Sequence, residues 1–188
     1  TAGDARRVRA ACLLFDDHGQ RVARYDKVHL FDVRVVGSAE RYAESATIAP
    51  GDRYVTADTA LGRLGLAVCY DLRFPEQFRA LVDQGMELLA LPAAFTATTG
   101  LAHWEALLRA RAIENQCYVL ASAQGGKHAN GRETYGDSLI IDPWGEILAR
   151  LPQGPGVVLA EFSRERLENV RRQFPALQHR VRREVCEP

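Results

Sequence analysis

Gly65-Leu66-Ala67-Val68-Cys69-Tyr70-Asp71-Leu72-Arg73-Phe74-Pro75-Glu76 is the stretch whose reading decides the fold. Its first half is almost wholly apolar, as in a strand covered on both faces. Its second half is a polar turn running into Pro75 and Glu76, both suited to the first turn of a helix. The spacing therefore predicts a buried strand over 64–69, a tight turn, and a helix over 76–84, where Phe78, Leu81 and Val82 recur at helical intervals. Downstream the pattern repeats, with a buried strand at 88–91, the best helix of the chain at 103–115 (Trp104, Leu107, Leu108, Ile113), and a strand at 118–123. Upstream, 8–15 and 21–25 read as a hairpin closed by Asp16-Asp17-His18-Gly19. The stretch 30–52 reads as irregular, and a second strand pair flanks Leu61-Gly62-Arg63. In the last third, 138–142 and 146–150 form a hairpin through Pro143-Trp144-Gly145. A strand follows at 157–162, and Ser163 caps a helix over 164–172. Strands alternating with helices in the middle, with hairpins on either side, imply a mixed α/β domain around a layered central sheet. The whole chain, 1–188, reads as a single domain.

Composition bounds the function. The 188 residues carry 24 Lys+Arg against 24 Asp+Glu, with 47% hydrophobic and 26% charged positions. This is a globular composition. A net charge of zero removes the simplest argument for nucleic-acid binding, and no apolar run approaches the roughly 20 residues of a membrane helix. Cys12, Cys69, Cys117 and Cys186 lie at least 48 positions apart, which argues against a zinc site or a redox pair. Scattered cysteines are the usage of a reducing compartment, so the expected location is cytoplasmic.

Cys69 is the first candidate for chemistry. A thiol at a strand-to-helix turn lies near backbone N–H groups that favour the thiolate, while a buried Cys in such a run is commonly structural. Lys27, in Tyr25-Asp26-Lys27-Val28-His29-Leu30-Phe31, stands just inside a core-forming segment. There it serves either as an electrostatic stabiliser or as a snorkelling strand end. Glu44, taken alone, reads as a solvated acid in a loop. His29, His103 and His128 are each eligible partners for Cys69 in a Cys–His hydrolase, and nothing in the spacing selects among them.

Together these segments resemble the nitrilase (carbon–nitrogen hydrolase) superfamily. The resemblance runs through Pro92-Ala93-Ala94-Phe95-Thr96, the helix from His103 to Asn115, Tyr135-Gly136-Asp137-Ser138, Asp142-Pro143-Trp144-Gly145 and Gln178-His179-Arg180. Within it the sequence is most similar to the deaminated-glutathione amidase branch, with the ω-amidases next. The resemblance implies a four-layer α-β-β-α sandwich, a Glu-Lys-Cys triad and no metal or cofactor. It implies hydrolysis of a C–N amide bond in a small carboxylated substrate through a thioester. Carried over by motif, Cys69 is the nucleophile, Lys27 the triad lysine and Glu44 the auxiliary glutamate. Tyr70 supplies a backbone N–H to the oxyanion, Arg73 clamps a substrate carboxylate, and Phe95 lines the pocket. The expected partners are a small-molecule amide and a second copy in a homodimer, with neither nucleic acid nor membrane. The family's first glutamate has no match among Asp4, Asp16, Asp17 and Asp26. The resemblance accordingly implies that this base and the first sandwich elements lie before Thr1, and that an apolar face is left uncovered. A non-catalytic binding or assembly subunit is the alternative.

Overall fold

A computed structural model describes residues 7–36 and 41–181. Asp4 and Cys186 lie outside them. Six strands form the central sheet: β5 (Val55–Thr59), β6 (Gly62–Leu66), β7 (Leu88–Ala90), β8 (Tyr118–Ala121), β11 (Ser138–Ile141) and β12 (Ile147–Leu151), in the order β12-β11-β8-β7-β6-β5. The inner three run parallel, and β5, β11 and β12 join them antiparallel. Parallel neighbours need crossovers, and helices α1 (Pro75–Asp83) and α2 (Ala97–Asn115) supply them.

Period-two alternation divides the strand residues between two cores. On one face Leu89, Val119, Leu139 and Ile141 meet Phe78 and Leu81 of α1 and Trp104 and Leu108 of α2. On the other face Leu64, Leu66, Leu88 and Tyr118 pack with Tyr25, Cys12, Leu14 and Ala23 from the hairpin β1 (Ala11–Phe15) and β2 (Arg21–Asp26). Leu167 of α3 (Arg164–Gln173) joins this second cluster. Helices, sheet and hairpin thus follow one another as layers. The outward side chains of the hairpin, Leu13, Phe15 and Val22, are exposed.

Several expected boundaries shift for local reasons. The strand at 64–69 stops at Leu66, and Cys69 instead opens a 3-10 turn, Cys69–Arg73. The second helix begins six residues earlier than its apolar spacing indicates, because the Thr96 hydroxyl caps the N–H of Thr99. Within the irregular 30–52 lies a short hairpin, β3 (Asp32–Arg34) with β4 (Arg41–Ala43). Residues 157–162 join no sheet among the described residues, and Val157 and Leu159 are exposed. A hairpin of β9 (Gly125–Lys127) and β10 (Glu133–Tyr135) stands where short polar segments gave no strand pattern.

That last hairpin is seated on α2 by Gly100. A Cβ there would fall 2.2 Å from the Tyr135 Cβ. Gly100→Ala must push β10 away from the helix and is expected to lower unfolding free energy by about 1–3 kcal/mol, measured by urea denaturation beside Ala102→Gly, an exposed change on the same helix.

Candidate active site

The turn that carries Cys69 is held from three sides. The Cys69 N–H donates to the Pro92 carbonyl at 2.9 Å, at the end of the β7 run. From α2, the buried Arg111 donates through Nε to the Leu72 carbonyl at 3.0 Å. Inside the turn, the Asp71 carboxylate accepts the Val68 N–H at 2.8 Å. Cys69 itself has φ +52°, the left-handed region that costs a branched or bulky residue most and marks strained functional positions.

Asp71, fully buried, also reaches the segment that carries Lys27. One carboxylate oxygen accepts the Tyr25 hydroxyl at 2.7 Å; the other takes the His29 N–H at 3.2 Å and lies 2.8 Å from His29 Nδ1. Tyr25 and His29 stand two residues either side of Lys27, so this one side chain ties the lysine segment to the cysteine turn. Burial, then the Asp71 carboxylate, push the Tyr25 phenol well above its ordinary range. Gly51 completes the seat. Its N–H donates to the Lys27 carbonyl at 2.8 Å, and a Cβ at this position would sit 2.0 Å from the Asp26 carbonyl oxygen.

The buried Lys27 ammonium pairs with Glu44, whose same oxygen accepts the Phe31 N–H at 2.6 Å. Glu44 is therefore no solvated loop acid. It opens a 3-10 turn, Glu44–Ala46, immediately after β4. Cys69, Lys27 and Glu44 line one cleft of about 890 Å³. A small inner cavity of about 20 Å³ adjoins Cys69 and is lined by Tyr70, Arg73, Phe95 and Thr99. The Arg73 guanidinium lies 5.2 Å from the Phe95 ring centroid and 3.2 Å from His103 Nδ1, and burial lowers its pKa. The other five residues carried over by motif thus all line the two cavities that meet at Cys69.

The histidines do not. His29 is bonded to Asp71 and stacked on Phe74, His103 meets Arg73, and His128 meets Thr134. Among the described acids before Lys27, Asp16 closes the hairpin turn and Asp26 accepts Arg24. Sequence reading missed Asp71, Thr99 and Arg132, a lining residue of both cavities. For Asp71 a signal existed, since an acid two residues past a turn-borne Cys is placed to accept backbone N–H groups.

A layered α/β fold thus brings a cysteine in the left-handed backbone region, a buried lysine paired with a partly exposed glutamate and an arginine-lined inner cavity to one place. The carbon-nitrogen hydrolase family model matches residues 3–172, and the chain belongs to that family. Over 182 residues it is 52% identical to a deaminated glutathione amidase of Synechocystis sp., covering 96% of this chain and 66% of that protein. It spans between 51% and 66% of the length of the deaminated glutathione amidases it matches. The crystal structure of the C. elegans NitFhit protein superposes with a TM-score of 0.88 at 43% identity, over 96% of this chain and 44% of that one. A mutant of the amidase from Nesterenkonia sp. carries the acetamide moiety of fluoroacetamide covalently at its active site cysteine. It is 32% identical with a TM-score of 0.66, over 78% of this chain and 52% of that one.

Burial raises the Cys69 pKa; the Ala94 amide and then Lys27 oppose it, Glu44 adds to the rise, and Arg132 opposes it. The thiol therefore dominates at neutral pH, and the thiolate grows as pH climbs. Iodoacetamide labelling of Cys69 is expected to be still accelerating at about pH 9. Lys27→Met should move that profile to higher pH, because it removes a charge that lowers the pKa. Cys117, which burial pushes up to about 12, should stay unlabelled in peptide mass spectra of the folded protein.

Proposed function

We propose that this chain hydrolyses a C–N amide bond of a small carboxylated substrate, of the deaminated-glutathione or ω-amide type, with Cys69 as nucleophile. The observation that carries the reading is the meeting of a left-handed cysteine with a buried, neutralised lysine in one cleft. The substrate class is supported by the names of the similar relatives and by Arg73 beside the inner cavity.

In this reading the Cys69 Sγ adds to the amide carbon, and the carbonyl oxygen takes the negative charge. The Lys27 ammonium and the Tyr70 N–H, near the start of the 3-10 turn, stabilise that oxyanion. The C–N bond then breaks, and the thiol proton departs with the nitrogen as ammonia or an amine. A thioester remains. Water adds to it, the C–S bond breaks, and the carboxylic acid and the thiol are regenerated. Glu44 orients Lys27 and the attacking water. Arg73 holds a substrate carboxylate through parallel hydrogen bonds, and Phe95 forms the wall beneath it.

The two sheet faces with their separate clusters support residues 1–188 as one domain. A homodimer is supported by exposed Leu101 and Ile113 on α2, with Trp144 and Phe174 likewise exposed. Cys12, Cys69 and Cys117 are free thiols, which favours a reducing, cytoplasmic setting. No helix among the described residues is long and apolar enough to cross a membrane.

Ammonia release from a panel of ω-amides, with hydrolysis of deaminated glutathione alongside, tests the assignment. Cys69→Ala is expected to abolish turnover. Lys27→Met should lower kcat by about 100-fold or more, the scale of losing an oxyanion donor, with circular dichroism confirming the fold. An active Cys69→Ala variant overturns the reading.

A further inference from the structure

Two cavities meet at Cys69, and Arg132 lines both, together with Phe31, Cys69 and Ala94. Its charge differs from that of Lys27, which Glu44 neutralises. One Arg132 Nη2–H donates to the Ala94 carbonyl, and the guanidinium lies 5.2 Å from the Tyr42 ring centroid. Its Nε is buried with no hydrogen-bond partner among the described residues. Neither Nη1 nor any ion pair uses the rest of its charge among the described residues. A guanidinium seated on neutral groups with donors unspent is a ready receptor for a planar anion.

We infer that Arg132 binds a carboxylate on the amine half of the substrate, the half that leaves when the C–N bond breaks. This rests on the amidase reading above. With the amide carbon at Cys69, the acyl chain and the leaving nitrogen point away from each other. The inner cavity, about 20 Å³, holds roughly one water-sized group beside Arg73. It suits the terminus of a short acyl chain. The amine half then extends into the larger outer cleft, where Arg132 stands at the boundary between the two spaces. Arg41 also lines that cleft, but it is exposed and screened by solvent. The site thus takes amides carrying a carboxylate at each end, one on Arg73 and one on Arg132.

Two amides of glutaric acid isolate the effect. One has glycine as the amine half; the other has isobutylamine, its uncharged isostere. The wild-type protein is expected to favour the glycine amide in kcat/KM by roughly 10- to 100-fold, the scale of a charge-assisted hydrogen bond. Arg132→Gln should bring that ratio to about one, and Arg132→Lys should keep part of it. Because it is a ratio, a general loss of fold or of thiolate cancels. A wild-type ratio near one, or a ratio that survives in Arg132→Gln, overturns the inference. Ammonia release from the unsubstituted glutaric monoamide then separates the two failures. If it persists, the amidase reading stands and the Arg132 assignment falls; if no amide is cleaved, both fall.

Discussion

The four hydrogen bonds to the Asp71 carboxylate are the constraint on which the candidate site depends. Cys69 sits on a turn at the end of the central sheet, and Lys27 on the strand end of a hairpin packed against the opposite face. Nothing in the local sequence of either sets their separation. Asp71 does so by accepting Val68 on one side and Tyr25 and His29 on the other. A buried carboxylate with all its lone pairs engaged is costly to disturb, since losing a partner leaves charge without solvent or donor. The turn and the hairpin are therefore tied to each other through this one side chain.

Around that frame the charges divide by role. Lys27 is neutralised by Glu44 and keeps its ammonium in a nearly dry place. Arg73 lies against aromatic rings and the His103 ring, and Arg132 against the Tyr42 ring and the Ala94 carbonyl, with no acid paired to either among the described residues. Charges paired inside the protein hold geometry, whereas charges left without an acid favour an incoming anion. Arg111 and Arg150 show the paired kind, tied to Glu114 and to Asp137 and Glu105.

The sheet was legible in the sequence because its strands are short apolar runs between turns, and the alternation of Leu64 to Leu66 and Leu88 to Leu91 survives in the two cores. The resemblance drew Cys69, Lys27 and Glu44 together, while spacing alone read Glu44 as a solvated acid. What stayed hidden depends on distant contacts. Beyond Leu66 the backbone still donates from Ala67 and Cys69 to the β7 run, but the Asp71 carboxylate takes the intervening Val68 amide and the chain turns, an effect absent from any apolarity pattern. The start of α2 was hidden in Ala97-Thr98-Thr99-Gly100, whose small and polar residues show no helical stripe but begin behind a Thr cap. Arg132 follows a glycine in a polar loop, and its place at the site comes from a hairpin docked on α2.

Cys69 in a left-handed conformation has an evolutionary edge. A non-glycine residue held there costs on the order of 1–3 kcal/mol, a cost that glycine at the same position escapes. Drift toward greater stability thus pulls against keeping a side chain on this turn. The chain keeps a side chain on this turn at the expense of stability, as it also does at Gln116 and Asp137, the other non-glycine residues with positive φ among the described residues.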